Sequence, residues 1–267
     1  MSAVTRTAGA GTPERSAREH KGGGLPGAVA AEWGKLWTIR TPYACLVASV
    51  VLMAVFAFYF GSIAQINDEP VQPVGNAPVT AMVLVQFLVV VLAMTTVTSE
   101  YATGSIRTSL QWVPVRHRVQ AAKALVNGAV AFVAGILLGA LGMAVAWPSF
   151  DGYATFEMSE ALVQLLSMGV YLALVAVLTV GLSFACRSAV GTLSSLFFLL
   201  AGLPFLLMGP GSETLLKIND GLPQSAGHHF MAGDTTPYSS MVGLLLVVAW
   251  ATAAHLLGLT VLRRRDA

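Results

Sequence analysis

The sequence predicts an all-α polytopic membrane protein with six transmembrane helices. Three observations carry that expectation. First, the chain is 55% hydrophobic and only 10% charged, with a mean hydropathy of +0.72. Soluble domains carry about 25% charged residues, so the most fitting solvent for this surface is lipid. Second, the apolar residues form long continuous runs rather than alternating ones, which selects helices over barrel strands in a solvent that satisfies no backbone hydrogen bond. Third, every Lys and Arg except Lys217 falls on one side of the arrangement those runs define.

A helix needs about 20 apolar residues to cross a hydrocarbon core of about 30 Å. The spans are expected at 42–64, 78–98, 122–147, 161–185, 189–208 and 240–262. Residues 161–208 are almost wholly apolar, and as one helix they would be about twice too long. The break is expected at Cys186-Arg187-Ser188, because a charge costs about 2.5–3.5 kcal/mol at the bilayer centre. Gly135, Gly139 and Gly142 give the third span a small face suited to close helix packing. Residues 1–27 read as a flexible cytoplasmic tail and 28–267 as one transmembrane domain. Within 28–41, Val29, Trp33, Leu36 and Trp37 share one helical face while Glu32, Lys35 and Arg40 lie elsewhere. That pattern predicts an amphipathic interfacial helix. Segment 209–239 is long for a loop and contains apolar pairs, which predicts short helices there.

The basic residues precede the first span, fill the connection between the second and third, mark Arg187 and close the chain at Arg263, Arg264 and Arg265. The connections on the other side carry Asp68, Glu69, Asp151, Glu157, Glu160, Glu213, Asp220 and Asp234. The positive-inside rule makes the basic side, with both termini, cytoplasmic.

Several function classes are disfavoured. A net charge of +2 without basic–aromatic interleaving gives no nucleic-acid platform. The chain has no GxxxxGK[ST], HExxH, CxxC or GxSxG, so no enzyme motif is expected here. Cys45 and Cys186 read as reduced packing residues. His228 and His229 are adjacent, with Asp220 and Asp234 near in sequence. Neighbours on a helix diverge by about 100°, so no metal site is expected from that pair. His255 lies inside the last span and reads as a neutral structural histidine. The spans offer only mild polarity, such as Gln86, Thr96, Asn127, Gln164 and Thr179. Ion pumps and proton-coupled carriers need ionisable groups in the membrane, so energy for any transport would come from outside the chain.

The densest polar motif is Ser99-Glu100-Tyr101-Ala102-Thr103-Gly104-Ser105-Ile106-Arg107, continuing to Pro114-x-Arg116 and Ala122-Lys123. Its composition suits docking: Gly104 permits close approach, Tyr101 and Ile106 anchor, and Glu100 and Arg107 give directional pairing. With Glu32-Trp33-x-Lys35-Leu36-x-Thr38-x-Arg40 upstream and Pro223-x-Ser225-Ala226-Gly227 before the last span, the chain resembles the permease subunit of ABC-2 type ABC transporters. The layout covers 28–262, and the specific motifs cover a quarter of it or less.

The resemblance implies a multi-pass protein of the bacterial cytoplasmic membrane, with an N-terminal elbow helix and a cytoplasmic coupling helix. It further implies a dimer, homo- or heteromeric, bound to ABC ATPase subunits that carry the ATP and Mg²⁺. This chain itself would need no cofactor. By the same resemblance, Glu100, Tyr101, Thr103, Gly104 and Arg107 are the ATPase-coupling residues, and Glu32, Trp33 and Lys35 belong to the elbow. The expected activity is export of an apolar or amphipathic substrate by alternating access. The alternative is a membrane scaffold or immunity protein that binds a ligand and transports nothing.

Single-cysteine labelling of intact cells tests the topology. Positions beside Asp68, Asp151 and Lys217 should react with an impermeant reagent, and those beside Arg107 and Arg264 should not. Outside labelling beside Arg107 would overturn the six-span arrangement.

Overall fold

The computed structural model describes residues 24–106, 108, 116–209 and 211–264. Six of its helices are long and apolar enough to cross a membrane: α2 (Thr41–Ile66), α3 (Asn76–Thr103), α4 (Arg116–Ser149), α5 (Met158–Cys186), α6 (Ala189–Met208) and α9 (Ser240–Arg264). They are preceded by α1 (Gly24–Thr38), and two short helices, α7 (Glu213–Asp220) and α8 (Pro223–Ala232), join α6 to α9. Each expected span lies inside its helix or matches it. The helices run past the spans because helix formation does not stop where hydropathy falls: α4 starts at Arg116 and includes Lys123 in its third turn.

The helix ends follow local rules. Pro42 opens α2, where its missing N–H is not needed. α3 ends at Gly104, whose φ of +73° is the left-handed geometry that glycine adopts without a Cβ penalty. The break after Cys186 falls where expected. Arg187 takes φ +56°, and Ser188 then caps α6 by accepting a hydrogen bond from the Gly191 amide at 3.4 Å. α6 carries one π-helical stretch, Phe198–Gly202.

α3 and α5 form the centre, with 67% and 61% of their most apolar stretch buried, against 28%, 22% and 22% for α2, α6 and α9. The peripheral helices leave large apolar side chains such as Val47, Val51, Phe58, Phe205 and Leu245 exposed, as lipid contact requires. Close approach comes from glycine. A Cβ on Gly135 of α4 would lie 2.7 Å from the Met168 carbonyl oxygen of α5, and one on Gly142 would lie 2.5 Å from Pro78 of α3. A Cβ on Gly181 of α5 would lie 2.5 Å from the Ala254 backbone of α9. The expected small face of α4 thus meets two different neighbours.

The two ends of the bundle differ in charge. α1, the ends of α3 and α9, and the start of α4 meet at a basic end. There Arg116 Nη1 donates to the Leu262 carbonyl at 2.8 Å and Arg187 Nη2 to the Val261 carbonyl at 3.4 Å. Both guanidinium groups therefore sit on the last carbonyls of α9, the negative end of its dipole. The opposite end carries a departure from the all-helical expectation. A parallel two-residue bridge pairs β1 (Gln72–Pro73) with β2 (Ala154–Thr155) and ties the α2–α3 connection to the α4–α5 connection. The expected short helices in 209–239 are α7 and α8.

Enlarging the contact glycines should destabilise the bundle. Gly135→Leu and Gly181→Leu force backbone apart, a strain of about 1–3 kcal/mol or more. Both should lower the thermal midpoint of the detergent-solubilised protein. Gly34→Ala, in α1 with nothing within 4 Å of its new methyl, should leave it unchanged or raise it.

Candidate functional site

α1 packs on α4, and the face it buries holds Ala28, Glu32 and Leu36. Of the expected interfacial face of Val29, Trp33, Leu36 and Trp37, Leu36 is buried against the bundle. Trp33 stands 48% exposed, edge-on to Trp37 at 5.6 Å, with Trp37 in turn 5.4 Å from Tyr43 of α2. The helix also begins at Gly24 rather than at 28, with Pro26 in its first turn where proline is tolerated. A glutamate occupies the buried face because its counter-charge lies directly across from it.

That counter-charge is Lys123, whose side chain is only 1% exposed. Its ammonium donates to Glu32 Oε2 at 2.6 Å, to Glu100 Oε1 at 2.9 Å and to the Thr96 carbonyl at 2.8 Å, so all three of its donors are used. Lys35 closes the circuit, reaching Glu32 Oε1 at 2.8 Å and Glu100 Oε1 at 3.0 Å. Among the described residues, two ammonium groups and two carboxylates thus alternate around a ring that joins α1, α3 and α4. Asn127, one turn beyond Lys123, extends it by donating to Thr96 Oγ1 at 3.1 Å and to the Lys123 carbonyl at 2.8 Å. Burial alone would lower the Lys35 pKa, but the hydrogen bonds and charges of Glu32 and Glu100 outweigh it and leave the pKa raised. A cleft of about 360 Å³ opens beside the network, bordered by Thr38, Ile39, Ser99, Ser105 and Thr108.

The structure distributes the sequence-derived site residues unevenly. Glu32, Lys35 and Glu100 come together, and they recruit Lys123, which sequence reading had placed only as the end of a motif. Glu100 turns inward and is 8% exposed, so its carboxylate is held by the two lysines rather than offered to a docking partner. Tyr101 is half-buried, edge-on to Phe184 at 6.2 Å and 5.3 Å beneath the Arg187 guanidinium. Thr103 and Gly104 are exposed, with Ala102 and Ser105 beside them. Thr103 Oγ1 lies 2.9 Å from Ser105 Oγ. Arg107 and 109–115 lie outside the described residues.

Other polar groups are spread through the bundle. Tyr171 donates to Gln86 Oε1 at 2.5 Å in the buried centre, and a Cβ on Gly227 of α8 would overlap the Tyr171 ring. The Nδ1 of His255 is buried without a hydrogen-bond partner, while its backbone oxygen accepts from Gln120 at 2.7 Å. An open apolar cleft of about 680 Å³ between α4 and α5 is lined by Val74, Met143, Trp147, Phe156, Met158 and Leu165. At the same end of the bundle, His228, His229 and Asp234 bring their ligand atoms within 4.8 Å of one another. Divergence along the helix had argued against this grouping, but a fold-back of the chain supplies the third group.

The two lysines should differ sharply on replacement. Lys123→Met strands two buried carboxylates on a single half-exposed partner, and breaking a buried pair costs about 3–5 kcal/mol. Lys35, whose side chain is 47% exposed, should cost no more than about 1 kcal/mol when changed to Met. Thermal midpoints in detergent read the difference. Because the Lys35 pKa is raised on folding, its contribution is complete below its ordinary value and disappears as pH climbs through the raised one. The midpoint gap between wild type and Lys35→Met should therefore hold at neutral pH and close only in strong alkali.

Compared with known proteins, the chain matches no family model and no curated protein.

Proposed function

We propose that this chain is the membrane-spanning permease subunit of an ATP-driven ABC-2 type exporter, in which α1 is the elbow helix lying in the cytoplasmic interface. Residues 99–113 are the coupling segment, both termini are cytoplasmic, and separate ATPase subunits bind and hydrolyse ATP with Mg²⁺. A second permease subunit completes the substrate path.

The observation that supports this reading best is the network of Glu32, Lys35, Glu100 and Lys123. It fastens the last turn of α3 to α1 and α4 directly beside the exposed Ala102, Thr103, Gly104 and Ser105. A push on that exposed turn is then transmitted to three helices at once, because a closed set of charge-assisted hydrogen bonds resists shear. Glu100 and Lys35 act here as positioning residues within the transmission element, and Thr103 and Gly104 supply the surface that meets the ATPase. Two features support an apolar or amphipathic cargo: the buried polar groups of the spans are mostly amides and hydroxyls, and the α4–α5 cleft is apolar.

Charge reversal at Glu100 would place a cation between two lysines and damage folding, so Gly104 gives the cleaner test. Its φ of +73° strains any side chain, but asparagine tolerates that geometry and tryptophan adds bulk into open space. Wild type and Gly104→Asn should co-purify an ATPase bearing GxxxxGK[ST] and export substrate in proteoliposomes. Gly104→Trp should insert normally, lose the ATPase by tenfold or more in affinity, a cost of about 1.4 kcal/mol or more, and fail to export. Wild-type export by Gly104→Trp would overturn the coupling role. The absence of any co-purifying ATPase would move the scaffold reading ahead.

A further inference from the structure

We infer that the segment joining α6 to α9 holds a transition-metal site of the Zn²⁺ class, with His228, His229 and Asp234 as ligands. The site lies at the end of the bundle opposite the ion network and does not depend on the transport reading.

Its geometry comes from the way α8 stops. Gly233 takes φ +79°, and the amides of Gly233 and Asp234 both donate to the His229 carbonyl, at 3.2 and 3.3 Å. The left-handed turn throws the chain back over the last turn of the helix and delivers Asp234 to the histidine pair. Asp234 Oδ2 lies 3.2 Å from His229 Nδ1. Four donors at about 2.0–2.1 Å from a tetrahedral Zn²⁺ stand about 3.3 Å apart, so this edge is already in place. The other edges do not exceed 4.8 Å and close by side-chain rotation. Two imidazoles and one carboxylate suit Zn²⁺ and its neighbours, whereas Ca²⁺ and Mg²⁺ prefer all-oxygen sets. The fourth position is open to water.

The surroundings are built. His228 and His229 are both partly buried, so the two imidazoles are held within the fold rather than on a free surface. On the far side of His229, Asp220 Oδ1 lies 4.0 Å from Nε2, a carboxylate beside the histidine but beyond hydrogen-bond distance. Tyr238 donates to the Asp220 carbonyl and stands edge-on to His229 at 5.4 Å. Trp250 Nε1 of α9 donates to the Gly221 carbonyl at 3.0 Å and pins the α7–α8 turn. Bound metal would lock α8 to the segment that leads into α9.

The test uses the tag-free full chain in detergent, stripped with chelator and titrated with Zn²⁺, with bound metal measured by equilibrium dialysis. Wild type should bind one Zn²⁺ per chain. His228→Gln, and separately the double variant His229→Gln/Asp234→Asn, should weaken binding at least about tenfold, while His117→Gln should bind like wild type. Co²⁺ titrated into wild type should give the intense visible bands of a four-coordinate site, a readout that needs no variant to fold. Failure of wild type to bind, unchanged binding in the double variant, or a purely octahedral Co²⁺ spectrum would each overturn the assignment.

Discussion

Lys123 is the constraint on which the basic end of the bundle depends. An ammonium group only 1% exposed has no water to hydrate it, so its hydrogen bonds must come from the protein. Its three donors require acceptors in fixed directions, and Glu32, Glu100 and the Thr96 carbonyl provide them. Glu32 of α1 and Glu100 at the end of α3 meet at that point, so the lysine ties α1 and the α3 terminus to α4. The stabilisation of such a network against an apolar replacement is small, since desolvation offsets most of the Coulomb attraction. Its consequence is geometric: three helices meet in one arrangement.

Apart from the ion network, the bundle is held largely by shape. Hydroxyl groups inside the helices return their hydrogen bonds to their own backbone, as Ser49, Thr98, Thr179 and Ser183 do to the carbonyls four residues before them. They leave no unmet demand that would tie one helix to another. Contact between α4 and α5 and between α5 and α9 rests instead on glycines that let backbones approach, which is the main source of attraction where lipid removes the hydrophobic drive between helices. Polar links between spans do occur: Tyr171 with Gln86 joins α5 to α3 beneath α8, Gln164 with Asn76 joins the same pair, and Gln120 reaches the His255 carbonyl of α9.

The two ends therefore have different mechanics. The basic end combines the ion network with two arginines seated on the carbonyls of α9, so its helices are cross-linked by charged hydrogen bonds. The opposite end is joined by a two-residue bridge, short helices and a histidine–carboxylate cluster, each able to rearrange locally. On the transport reading, that asymmetry suits a device driven from one side and gated on the other.

The sequence by itself determined the number of spans, the break at Arg187, the segregation of charge between the two ends and the presence of short helices in 209–239. These follow from sums over neighbouring residues: hydropathy over about 20 positions, and the cost of one charge in an apolar run. Tertiary structure alone decided which charges meet. Glu32 and Lys123 are 91 residues apart and Lys35 and Glu100 are 65 apart, and nothing in the periodicity of α1 indicated that the buried face would be the one carrying Glu32. The amphipathic pattern set Glu32 apart from the apolar face, because a hydropathy scale counts a glutamate as exposed whatever lies opposite it. Likewise the divergence of His228 and His229 was legible, but the fold-back at Gly233 that brings Asp234 to them was not. A partner's position depends on the path of the whole chain, whereas a helix depends mostly on its own residues and its solvent.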